Sequence, residues 1–154
     1  MITNKEVSRI VRIGCKAATG VGLIGAFTTD APALAAIWGT MIYKIAKEHH
    51  FELNEDSAIK VATSIIASAS AFMAGAGILT KILTYSGVAT LLGLGINCAI
   101  NYFYTWRLGN AFDEIFRYRG ADAAVSTLAG IVVLKLIPIP TMEEMKSLWD
   151  FIRH

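Results

Sequence analysis

Apolar positions along this chain recur at helical spacing, and one long stretch has almost no polar punctuation. Val7, Ile10, Val11, Gly14 and Ala18 share one face near the N-terminus, while Lys5, Arg9, Arg12 and Lys16 step along the opposite face. That is the period of an amphipathic helix carrying a basic stripe. Thr3 and Glu6 have the spacing of a capping box, so the helix is expected to begin there. Gly20, Gly22 and Gly25 interrupt it. Asp30 is a good N-cap and Pro32 suits a first turn, which predicts a second helix from Ala31 to His49. Leu34, Ile37, Trp38, Met41, Ile42 and Ile45 lie at core spacing along it.

Asn54 is the expected cap of a third helix, with Glu55 and Asp56 suiting its positive N-terminal end. This helix runs toward Gly75 and Gly77. Gly77 to Gly87 reads as a turn or short helix around Lys81. A long helix is expected from Val88 to Tyr118, ended by Gly120, and another from Asp122 to Leu136. The Ile137-Pro138-Ile139-Pro140 segment must break the chain, because each proline lacks a donor and restricts its predecessor. Thr141 and Glu144 form a second capping box before a last helix with Met142, Met145, Leu148, Trp149 and Ile152 on one face. The expected architecture is one all-α domain, residues 1–154, of about six helices. At its centre stands a charge-poor hydrophobic hairpin, residues 61–106, surrounded by amphipathic helices.

The hairpin expectation comes from charge. Between Val61 and Trp106 the only charged side chain is Lys81. Each flanking run is long enough, at about 20 residues, to match the ~30 Å hydrocarbon core of a bilayer if helical. Ser64, Ser68, Ser70, Asn97 and Asn101 weaken insertion, so the same runs also suit the buried centre of a bundle. Charged residues make up 17% of the chain, below the ~25% usual for soluble domains, and the shortfall lies in this span. A net charge of +2 is too small to point to nucleic acid. Early charges at Lys5, Glu6, Arg9, Arg12 and Lys16 leave no hydrophobic run of signal-peptide type. The expected location is the cytoplasm or the cytoplasmic face of an inner membrane.

Candidate chemistry is sparse. Cys15 and Cys98 have no CxxC spacing and read as buried thiols. His49, His50 and Glu52 lack the further ligands that a metal site needs. No nucleophile is spaced to a base, so no catalytic residue, metal or cofactor is assigned. The candidate contact residues for lipid headgroups or an acidic partner are Lys5, Arg9, Arg12 and Lys16. Ala67, Ala71 and Gly75, every four residues, together with Gly93, are candidates for close helix packing.

One set of residues resembles a family. Asp30-Ala31-Pro32 at a helix start, Met41-Ile42 with Ile45-Ala46, Phe51-Glu52-Leu53, Thr80-Lys81-Ile82 leading to Gly87, and Thr105 with Leu108-Gly109, Ala111 and Phe116 recur together. From about Gly25 to Gly120 the chain resembles the YcjF-type bacterial domain of unknown function, which is often encoded beside or fused to Era-like or dynamin-like GTPases. The resemblance implies an all-helical module working with a membrane or a GTPase, and a family-like cluster of Asp30, Thr105, Arg107 and Gly109. The chain has no GxxxxGK[ST] phosphate loop, so nucleotide chemistry would come from a separate protein. Three functions follow as expectations. The first is a non-enzymatic membrane-associated module acting as scaffold or effector for a partner such as a GTPase. The second is a pore-forming or toxin-like protein with a sheathed hairpin. The third is a soluble homo-oligomeric bundle that binds an apolar ligand.

Overall fold

The computed structural model describes residues 2–22, 31–69, 76–93, 95–118, 125–136 and 138–154. Those residues form helices and connections with no strand among them. The helices are α1 (Lys5–Gly22), α2 (Ala31–Glu48), α3 (Glu55–Ala69), α4 (Ala76–Tyr85), α5 (Val88–Leu92), α6 (Ile96–Tyr118), α7 (Val125–Leu136) and α8 (Met142–Arg153). Among the described residues there are eight where about six were expected. The 77–87 segment closes into α4, and the long helix expected from Val88 divides into α5 and α6. Gly93 causes the division: it takes φ 65°, ψ 27° at the end of α5, a left-handed conformation that no helix interior can hold.

Caps set the helix starts. Asn4, not Thr3, caps α1, because its Oδ1 accepts from the N–H of Glu6 at 2.8 Å. The Glu6 carboxylate turns instead to Arg9. Asn54 Oδ1 accepts from Ser57 N–H at 2.7 Å, as expected at the start of α3. Thr141 Oγ1 accepts from Glu144 N–H at 3.2 Å, half of a capping box. The other half is missing because the Glu144 side chain reaches across the fold. At the far end of α2, His50 adopts φ 54° and Phe51 N–H returns to the Ala46 carbonyl at 2.8 Å. This Schellman-type closure ends the helix at some cost, since a side chain disfavours that φ.

The core is organised around α6. Nearly every residue from Cys98 to Phe116 on this helix is buried, including Phe103, Leu108 and Phe112. Fully burying one such side chain contributes about 1.5–3 kcal/mol. Helix α1 lays Val7, Val11, Cys15 and Ala18 against α6, and α2 adds Trp38, Ile42 and Ile45. Helix α3 packs mainly on α2 and α7. Residue pairs fix the directions. Val11 meets Gly109, Gly14 approaches Thr105, and Ala18 bonds Asn101, so α1 runs against α6. Trp38 bonds Thr105 and His49 bonds Asp113, so α2 runs along α6. Consequently α1 and α2 are antiparallel neighbours.

The charge-poor segment is therefore not laid out as one hairpin of two long helices. Its residues are shared among α3, α4, α5 and the first half of α6, and α3 finds its partners on α2 and α7 rather than along α6. Among the described residues no helix is long and apolar enough to cross a membrane. Of the described helices that share this segment only α6 reaches 18 residues, and Arg107, Asp113, Glu114 and Arg117 occupy its second half.

Candidate functional site

Two regions gather the candidate side chains: the outer face of α1 and the polar positions of α6. On α1 the apolar face is consumed by the core, which leaves Lys5, Arg9 and Lys16 exposed and Arg12 partly so. Arg9 reaches back one turn to Glu6, its Nε lying 3.0 and 3.1 Å from the two carboxylate oxygens. That pair holds the Glu6 carboxyl below the usual carboxylate range and raises Arg9. Arg12 is placed differently. Its guanidinium lies 4.3 Å from the centre of the Phe151 ring on α8, a cation–π contact that ties the stripe to the C-terminal helix. Lys5, Arg9 and Arg12 meet His154 around an open pocket of about 370 Å³ at the start of α1. The four stripe residues thus stay on one face, but only Lys5 and Lys16 lack a partner in the bonds and ring contacts described above.

Beside the stripe, α1 and α2 diverge into a groove of about 320 Å³. Its floor is apolar, from Gly14 and Met41, and Ile13 stands 49% exposed on its wall. Arg9 and Lys44 are the charged residues that line it. The sequence pattern missed this groove because its two walls are about thirty residues apart. The signal was the small face of α1, where Gly14 and Ala17 leave room that larger residues would fill.

The buried polar side chains of α6, Asn101, Thr105, Arg107 and Asp113, each have a partner. Trp38 Nε1 donates to Thr105 Oγ1 at 2.9 Å, deep between α2 and α6. Asn101 Nδ2 donates to the Ala18 carbonyl at 3.2 Å. Arg107 faces the other way: it donates to both Glu144 oxygens at 2.6 and 2.8 Å and to the Leu136 carbonyl at 2.9 Å. The last of these satisfies a carbonyl at the end of α7 that the following prolines leave without a helical donor. Asp113 accepts from His49 at 2.8 Å and from Arg117. His49 therefore serves a carboxylate on α6, while His50 is exposed. Burial pushes the Cys15 thiol and the Tyr102 phenol well up, and raises Tyr104 less. Among the described residues no three His, Cys, Asp or Glu side chains are grouped to hold a metal ion.

The family-like cluster does not assemble into one site. Thr105 lies under α2, Arg107 points to α7 and α8, and Gly109 meets α1. Asp30 lies outside the described residues. A Cβ on Gly109 would fall 2.4 Å from Val11 Cγ2, so this glycine marks a close approach of α1 and α6. Of the four candidate packing residues, Ala67 and Gly93 are among those described. Ala67 is exposed on α3, and Gly93 ends α5 with nothing within 4 Å of an added Cβ. Ala71 and Gly75 lie outside the described residues. Close approaches to a branched side chain fall at Gly109 and at Gly39, whose Cβ would sit 2.6 Å from Ile59 Cγ1. Each is a single glycine facing a β-branched residue, a pairing that no spacing within one helix reveals.

A cleft of about 440 Å³ opens over the Arg107–Glu144 pair, bounded by Trp106, Asn110 and Lys135. Lys135 pairs with Glu114 at 3.1 Å, so the charges in this cleft are matched. No protein-family model, curated protein or solved structure matches the chain.

Proposed function

We propose that this protein is a non-enzymatic helical module that docks peripherally on an anionic lipid surface through α1 and there acts as scaffold or effector for a partner protein. The observation that carries the reading is the outward face of α1: Lys5, Arg9 and Lys16 exposed together, with the half-exposed Ile13 between Arg9 and Lys16. Each cation near an anionic surface contributes about 1 kcal/mol. One aliphatic side chain adds ~0.5 kcal/mol. The sum describes reversible, salt-sensitive binding rather than insertion. The resemblance to YcjF-type domains supports a GTPase on a separate chain as the partner held there.

The test is flotation with vesicles of phosphatidylcholine alone or mixed with phosphatidylserine. We expect the full chain to float with the mixed vesicles at low salt, and Arg9→Glu with Lys16→Glu to abolish this while the fold is retained. Flotation that ignores both lipid charge and these reversals would overturn the reading.

A further inference from the structure

The groove between α1 and α2 has a direction. Because the two helices are antiparallel, Arg9 of α1 and Lys44 of α2 stand at the same end of it. Ala17 and Ala36 stand at the other. One end therefore carries two cations, of which Arg9 is paired with Glu6, and the other is lined by small apolar groups. The walls between them are aliphatic, from Ile13 and Ile37, with Thr40 as the one neutral polar residue in the lining. Among the described residues no acidic side chain lines the groove. Glu6 takes one edge of the Arg9 guanidinium, whereas Lys44 has no hydrogen-bond or ion-pair partner among the described residues.

We propose that this groove binds one free long-chain carboxylate, its chain along Ile13 and Ile37 toward Ala17 and Ala36 and its head between Arg9 and Lys44. The groove volume decides the occupant's size. A liquid water takes about 30 Å³ and a methylene about the same, so 320 Å³ holds on the order of ten chain carbons. The backbone groups of both walls are engaged within their own helices, so the ligand needs no hydrogen bonding along its length. An unbranched hydrocarbon with a single anionic end meets those conditions. Lys44 and Arg9 supply charge-assisted bonds to the carboxylate, and the aliphatic walls remove the chain from water. The inference rests on the docking reading for the source of the ligand, a membrane surface, and is tested apart from it.

The probe is dodecanoate labelled at its carboxyl carbon, titrated into the full chain below its self-association concentration and followed by nuclear magnetic resonance and calorimetry. We expect one saturable site. Lys44→Glu and Ala36→Trp, both at exposed positions, should each weaken it at least about tenfold with unchanged circular dichroism, and dodecanol should bind at least about tenfold more weakly than dodecanoate. Absence of saturable binding, or binding indifferent to both variants, overturns the proposal. Vesicle flotation of Ala36→Trp separates the two readings. If flotation persists and dodecanoate binding is lost, the groove and the docking face act as assigned. If wild-type protein binds no dodecanoate but Ala36→Trp stops floating, the groove takes the chain of a bilayer lipid, and the free-carboxylate proposal fails. Dodecanoate binding without any flotation leaves the groove standing and removes the docking face.

Discussion

Arg107 and Glu144, 37 residues apart in sequence, form a two-bond pair at 2.6 and 2.8 Å that fastens α8 to α6. The arginine side chain is 9% exposed and the glutamate 21%, so neither charge is well solvated. The same guanidinium holds the end of α7 through Leu136 and lies 4.9 Å from the Phe103 ring. One side chain thus joins three helices.

Removing one partner leaves the other charge half-desolvated. Glu144→Ala is expected to lower the unfolding free energy by about 3 kcal/mol. Replacing both, as Arg107→Met with Glu144→Leu, should recover most of that loss, because the desolvation cost disappears with the charges. Urea unfolding of the two single variants and the double variant measures the coupling. Additive losses would show that the pair does not act as a unit.

Gly109 and Gly20 provide a matched contrast. Both are helical, and alanine gains ~1 kcal/mol over glycine in a helix interior on propensity alone. At Gly20 nothing lies within 4 Å of an added Cβ, so Gly20→Ala should be neutral or mildly stabilising. At Gly109 the new methyl meets Val11, whose branched side chain cannot easily turn away. Overpacking there should cost about 1–3 kcal/mol and outweigh the propensity gain. Val11→Ala in the same chain is expected to rescue Gly109→Ala in thermal melts. A Gly109→Ala protein as stable as the parent would remove the close α1–α6 contact.

Alkaline pH should weaken the fold through Cys15 and Tyr102. Burial raises both groups above the ordinary values of ~8.5 for a thiol and ~10 for a phenol. The unfolded chain releases these protons at the ordinary values, while the folded chain retains them. Their stabilising contribution is fully present below those values and is lost as pH rises beyond them. The urea midpoint is therefore expected to fall above about pH 9, and Tyr102→Phe together with Cys15→Ala should flatten that fall. Tyrosinate absorbance that shows Tyr102 ionising at an ordinary value in the folded protein would contradict this.

Local chemistry was legible from the residues in order. The all-helical class, the starts of α2 and α8, the Asn54 cap and the break at Pro138 each depend on atoms within a few positions of one another. The same holds for the apolar and basic faces of α1. A local pattern also misled where two local signals competed. Asn4 outcompeted Thr3 for the α1 cap, and Gly93 stopped a helix that its leucine-rich neighbours would have continued.

What only the tertiary structure decided are the pairings across the chain. Gly109 and Gly93 look alike in sequence, yet one lets two helices touch and the other turns the backbone. Whether a glycine does the first depends on the side chain that faces it from another helix, here Val11. In the sequence Arg107 stood only as a member of the family-like cluster; Glu144 arrives from α8 and makes its burial tolerable. The groove between α1 and α2 has the same origin. Its two cations are brought to one end because α1 and α2 lie antiparallel to each other on α6. The sequence by itself determines where the helices form and which faces are apolar, because period and capping act over a turn or two. Register between helices is set by the summed shapes of many side chains in contact, and that sum exists only once the core has closed.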